Sequence, residues 1–179
     1  DEIAFTSCTT EGNNIILNGI DFKEGDEVIS TTYEHCGLIV PLLNMKNRKG
    51  IVIKTFEPDI KDGLNNVKLI EKLITPKTKL IFISHVTCTN GQNMPAKEIG
   101  KLAKAHNILF ALDGAQVFGN MEIDVKDYDC DFYATSGHKW MLAPRRTGIL
   151  YVKKDKQDLL QSTTVGAYSD GGWNWEKQT

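Results

Sequence analysis

Asp131-Phe132-Tyr133-Ala134-Thr135-Ser136-Gly137-His138-Lys139-Trp140 sets a lysine just past a hydrophobic strand, behind a small-residue turn and next to a histidine. Upstream, Ile108-Leu109-Phe110-Ala111-Leu112-Asp113 is a second apolar run that ends on an acid, and Gly114-Ala115-Gln116 follows it. A lysine at a buried strand exit is costly unless it reacts or finds a partner. Two strands that each end on a charged residue raise the question of what lies between and before them.

Working outward, apolar runs of strand length alternate with stretches of helical period. Strands are expected at Ile3–Phe5, Glu27–Ser30, Ile51–Phe56, Lys79–Ser84, Ile108–Asp113 and Asp131–Ala134. Helices are expected at Thr9–Leu17, Leu38–Met45, Val67–Ile74 and Ala96–Ala105. Strand followed by helix, repeated, predicts an α/β fold with a mainly parallel sheet covered on both faces, a three-layer α/β/α sandwich. Gly148-Ile149-Leu150-Tyr151-Val152 reads as a last strand that returns antiparallel after a short turn. Neither an internal repeat nor a low-complexity linker interrupts the series.

Composition narrows the classes of function. At 179 residues the chain suits one sizeable core rather than two domains. Its hydrophobic content of 41% and charged content of 25% are those of a soluble globular protein, and neither end carries a membrane-spanning apolar run. A formal net charge of -2 offers no concentrated basic surface, so nucleic acid and anionic membrane are not expected partners. Lys46, Arg48 and Lys49 read as a solvated helix end. Cys8, Cys36, Cys88 and Cys130 are scattered without metal-ligand spacing, which points to a reducing cytoplasm and no metal, and Cys88 reads as a small buried hydrophobe. The chain opens in a strand already under way at Glu2-Ile3-Ala4-Phe5, as a piece of a longer protein would.

In open sheets of this kind, ligands sit beyond the carboxyl ends of the strands. Ser7 to Thr10, His35, Thr87, Asp113 with Gln116, and Ser136 to Lys139 all fall at such ends, so five strand exits converge on one mouth. Lys139 could form a Schiff base with an aldehyde cofactor and, once freed, move protons at a substrate alpha carbon. Asp113 could hold a pyridinium nitrogen protonated, so that the ring absorbs the electrons of a substrate carbanion. That pairing suggests pyridoxal 5'-phosphate (PLP). Gln116 could hydrogen-bond the ring hydroxyl, and His35 could stack on the ring and assist proton transfer. The turn from Ser7 to Gly12 offers hydroxyls and N–H groups at the positive end of a helix, a phosphate cup in which Ser7 or Thr9 could also cap the helix. His138 would sit against the phosphate beside Ser136. His85 and His106 read as structural, the first in the core and the second at a helix end.

These residues, in this order, resemble the class V aminotransferase family, the fold type I PLP enzymes that include cysteine desulfurases, selenocysteine lyases and isopenicillin epimerase-like proteins. The resemblance runs through Thr9-Thr10-Glu11-Gly12-Asn13-Asn14, Gly25-Asp26-Glu27-Val28-Ile29, Glu34-His35, Ser84-His85-Val86-Thr87 with Gly91, Asp113-Gly114-Ala115-Gln116, and Ser136-Gly137-His138-Lys139. It implies Lys139 as the Schiff-base lysine and general acid/base, Asp113 on the pyridine nitrogen, Gln116 near the ring oxygen and His35 stacked on the ring. It implies Thr10, Ser136 and His138, with Thr9 as a weaker candidate, on the phosphate. It also implies residues 1–179 as the PLP-binding large-domain core without the family's N-terminal segment and small C-terminal domain.

The resemblance further implies a small-molecule amino acid substrate and a homodimer in the full-length protein, with Trp173 and Trp175 either in subunit contacts or packed locally. Three departures stand out: Cys88 where desulfurases usually carry asparagine, Ala143-Pro144 for Gly-Pro, and Arg145-Arg146 where glycine is usual. This form is closer to epimerase-like and lyase-like members. Transamination, desulfuration by beta-elimination and epimerisation share their first steps and stay open. The rival from another class, a non-catalytic nucleotide-binding or regulatory α/β domain, requires a Gly-x-Gly-x-x-Gly turn that Thr9 to Asn14 lacks.

Overall fold

A computed structural model describes residues 2–166 together with Ser169 and Glu176; Trp173 and Trp175 lie outside the described residues. Seven strands form one sheet: β1 (Ile3–Thr6), β2 (Glu27–Thr31), β3 (Val52–Phe56), β4 (Thr78–Ser84), β5 (Leu109–Asp113), β6 (Phe132–Ser136) and β7 (Gly148–Val152). Their spatial order is β1-β7-β6-β5-β4-β2-β3. The run from β6 to β3 is parallel throughout, and β7 is antiparallel to both β6 and β1. Two antiparallel pairings in succession turn β1 back to the direction of β6. The exit of β1 therefore opens on the same edge as the others.

Among the described residues four α-helices complete the three layers: α1 (Thr9–Gly19), α2 (Cys36–Lys49), α3 (Asn65–Glu71) and α4 (Ala96–Ala105). Strand side chains alternate between faces. Val28, Leu80, Phe82, Ala111, Phe132 and Ala134 pack with Ile16, Leu17, Leu38 and Leu42 of α1 and α2. Ile29, Ile81, Ile83, Phe110, Leu112 and Tyr133 pack with Ile70, Ile99 and Ala103 of α3 and α4. Both faces are covered, which is why the central strands read as unbroken apolar runs.

Gly12 lets α1 approach β6 closely, since a Cβ there would lie 2.8 Å from the Ala134 Cβ. α2 ends in a left-handed Gly50 with Lys46, Arg48 and Lys49 in its last turn, a favourable place for cations. The strand through Asp131 differs from its expected bounds by running on to Ser136, so the small residues read as a turn are the end of the strand itself. His106 caps the end of α4, as expected.

Candidate active site

Strand alternation and register decide which side chains meet. Ser84 pairs across from Asp113, and Asp113 across from Ala134, two residues before Ser136. Ser84, Asp113 and Ser136 follow Phe82, Ala111 and Ala134 by two, so all three belong to the α1/α2 face at the carboxyl edge. Of the exits named from sequence, those at Asp113 and Ser136 therefore share one side of the sheet, with Ser84 beside them.

Asp113 is buried, and its carboxylate accepts hydrogen bonds from Asn13 Nδ2 at 2.8 Å and from the Ala115 amide at 3.0 Å. Burial pushes its pKa up, while the Asn13 and Ala115 bonds, and the nearby charges of Lys139 and His35, pull it down. Lys139 and His35 are thus near enough to the acid for charge on them to act on it. Gly114 has no room for a side chain, because a Cβ would stand 2.0 Å from the Tyr133 ring. That ring closes the sheet's other face directly behind the acid.

His35 is the N-cap of α2; its Nδ1 accepts from the Gly37 amide at 2.9 Å, leaving the ring exposed at the mouth. Glu34 anchors this turn. Its carboxylate accepts from Thr31 Oγ1 at 2.6 Å, from Ser84 Oγ at 2.5 Å and from the Ser84 amide at 3.0 Å, joining the exits of β2 and β4. Burial outweighs these bonds and raises the Glu34 pKa. Thr10 faces the same turn, for a Cβ on Gly37 would come within 2.5 Å of the Thr10 hydroxyl.

At the start of α1, Cys8 is the N-cap and makes no side-chain capping bond. The sequence offered Ser7 or Thr9 as the cap. Ser7 instead gives its amide and hydroxyl to Glu11, at 2.6 and 2.5 Å. The Thr9 amide and hydroxyl meet Ser136 Oγ at 2.9 and 2.6 Å, which ties α1 to the end of β6 and leaves Thr9 buried.

Lys139 is half-buried and His138 exposed on the turn after β6. Gly137 pins that turn at both ends, donating to Thr147 O at 2.8 Å and accepting from Ala143 N at 2.9 Å. Arg146 adopts φ +64°, so the position where a glycine is usual does take the left-handed backbone that glycine accepts without strain. Gln116 is half-buried, and its Oε1 accepts from Trp140 Nε1 at 2.8 Å. That bond commits Oε1 as an acceptor and leaves donation to the amide nitrogen.

One expectation changes. Cys88 is exposed rather than buried, because it lies in the loop after β4 beside a small 270 Å³ cavity lined by Thr87, Gln116 and Trp140. Thr87, at that exit as expected, gives its hydroxyl to Asn90 within its own turn. His85 is the core histidine expected, with Nδ1 3.0 Å from the Tyr133 hydroxyl and a pKa lowered to about 4 by burial. Asn13 is the residue that sequence reasoning passed over. It sits inside the quoted motif, yet nothing in its spacing says that a helix residue reaches a strand end 100 positions away.

The family model described as aminotransferase class-V matches residues 1–170. A probable cysteine desulfurase of Borreliella burgdorferi is 42% identical over 168 residues, covering 92% of this chain and 39% of its own length. The chain thus spans about two fifths of such curated relatives. Among solved structures, the apo cysteine desulfurase of Thermococcus onnurineus NA1 superposes with a TM-score of 0.87 at 30% identity, covering 98% of this chain and 44% of that one. A C-DES variant with glycine covalently linked to its PLP cofactor gives a TM-score of 0.87 at 29% identity, covering 98% and 46%.

Proposed function

This chain belongs to the class-V aminotransferase family, and we propose that it is the PLP-binding, fold type I large-domain core of an enzyme acting on an amino acid. The observation that carries the reading is the buried Asp113 at the carboxyl end of a central strand, beside the β6 exit that leads to Lys139 and the β2 exit where His35 caps α2. Its hydrogen-bond donors are neutral groups, Asn13 and the Ala115 amide. A buried carboxylate so placed is short of a cation, and a protonated pyridine nitrogen supplies one.

PLP, when bound, supplies an electron sink for the bonds of a substrate alpha carbon. Around it, Lys139 holds the cofactor and then takes and returns the proton at that carbon. Asp113 would keep a proton on the ring nitrogen, and His35 would cover the ring. The Gln116 amide would donate to the ring oxygen, its sense fixed by the Trp140 bond. The uncapped start of α1 with Thr10, Ser136 and His138 receives the phosphate, and Thr9 acts there by fixing Ser136.

Among the reactions left open by sequence, cysteine desulfuration gains support from the names of the curated relatives, and the Cys88 and Arg145-Arg146 departures do not separate the chain from them. The reading extends to a cytoplasmic homodimer. Scattered free cysteines suit a reducing compartment, and no helix among the described residues is long and apolar enough to cross a membrane. Trp140, Met141, Leu142 and Met121 stand exposed beside the mouth, where a second subunit would cover them.

Adding PLP, reducing with borohydride and mapping the mass increase tests the site. Label on Lys139, absent in Lys139→Ala, is expected. Label on another lysine, or none, ends the proposal. Alanine formed from L-cysteine by the full-length enzyme, set against racemisation and transamination, tests the reaction.

A further inference from the structure

Asn13 is fully buried on α1, and its Nδ2 donates both to Asp113 Oδ2 at 2.8 Å and to the Gly37 carbonyl at 3.1 Å. Its Oδ1 has no hydrogen-bond partner. A buried, half-satisfied amide is a poor choice for packing alone, because an apolar side chain would fill the same space without an orphaned acceptor. The sense of the amide is nevertheless determined. Reversed, its oxygen would confront the Gly37 carbonyl, which can only accept.

That carbonyl is available for a reason written in the sequence. Gly37 lies in the first turn of α2, and the residue four positions on, which would donate to it in a regular helix, is Pro41. Proline has no N–H, and its ring crowds the carbonyl of the residue four before it. The Gly37 carbonyl is left to a donor from outside α2, and Asn13 supplies one.

We propose that Asn13 is a positioning residue: locked in one sense by the Gly37 carbonyl that Pro41 leaves open, it orients the Asp113 carboxylate and favours its charged form. The proposal deepens the PLP reading by assigning what holds Asp113 ready for a cationic ring, yet the contact exists without any cofactor. The titratable groups that share this environment are His35 and Lys139, which favour the charge, and Glu34 and Tyr133, which are themselves disfavoured as anions by Asp113.

The test is a carboxyl NMR titration of Asp113 in the full chain without PLP. Asn13→Leu should raise the apparent pKa of Asp113 by about one unit or more, since a buried carboxylate loses a direct donor. Asn13→Asp keeps the side chain's size, sets an oxygen where Nδ2 now serves two acceptors, and should couple the two acids into two separated steps, one strongly raised. An Asp113 that titrates in Asn13→Asp as it does in the parent overturns the proposal, as does a folded Asn13→Leu with an unmoved Asp113. Failure of the PLP reading shows instead as an unlabelled Lys139 with these shifts intact.

Discussion

On the α1/α2 face the strand ends carry Ser84, Asp113 and Ser136, joined by hydrogen bonds to Glu34, Asn13 and Thr9. On the α3/α4 face the last residues of the same strands are Ile83, Leu112 and Thr135, whose hydroxyl donates to the Gly114 carbonyl, and Ile83, Leu112 and Tyr133 there belong to a core with Met94, Ile99 and Cys130. The two histidines at the β2 and β4 exits divide accordingly. His35 caps α2 with its ring open to solvent, while His85 lies between Tyr128 and Tyr133, with ring centroids 5.0 and 5.9 Å away. One face supplies the stability that lets the other carry polar groups at a buried site, where an unmatched donor or acceptor costs about 1–3 kcal/mol.

If that division holds, substitutions should separate stability from cofactor binding. Phe110→Ala, from the α3/α4 core, should lower the unfolding free energy by about 3–5 kcal/mol in urea, while the molecules that remain folded still bind PLP at Lys139. Loss of PLP binding ahead of unfolding would blur the two faces.

The next effect is one of pH. His85 is held neutral with a pKa pushed down from 6.5 to about 4, so between these values the unfolded chain binds the extra proton. Its contribution is present above pH 6.5 and is lost as pH falls towards 4, up to roughly 3 kcal/mol. The difference between parent and His85→Gln in urea midpoints across that window isolates it. Asp113, Glu34 and Asp131, whose carboxyls burial raises, push stability the other way. A slope unchanged in the variant would remove His85 from the account.

The smallest stability effect should come from the α1/α2 face. Ser136→Ala removes the partner of the Thr9 amide and hydroxyl and should cost only about 1–2 kcal/mol. PLP affinity should fall by a larger factor than that stability change alone implies, read from a PLP titration of parent and variant. An unchanged affinity would separate Ser136 from the phosphate.

Much of this was legible in the residues. Apolar runs alternating with helical stretches gave the layers, and the turn after β6 placed Lys139 at a strand exit. The Arg145-Arg146 departure from glycine was legible, but the left-handed φ of +64° at Arg146 shows only in the structure. Cys88 was misread because small apolar character suggests burial, whereas the β4 exit loop turns it outward.

By itself, the sequence determined the number and order of the strands, the covering of both faces, and which residue types stand at the carboxyl ends, because period and chain order are local properties. Which of those ends share a face, that β1 turns back to open on the same edge, and that Asn13 donates to Asp113 and to the carbonyl that Pro41 leaves open, were decided only in the folded molecule. Register across strands and contact between helices depend on groups far apart along the chain, and hydrogen bonds between them exist only once packing has fixed both partners.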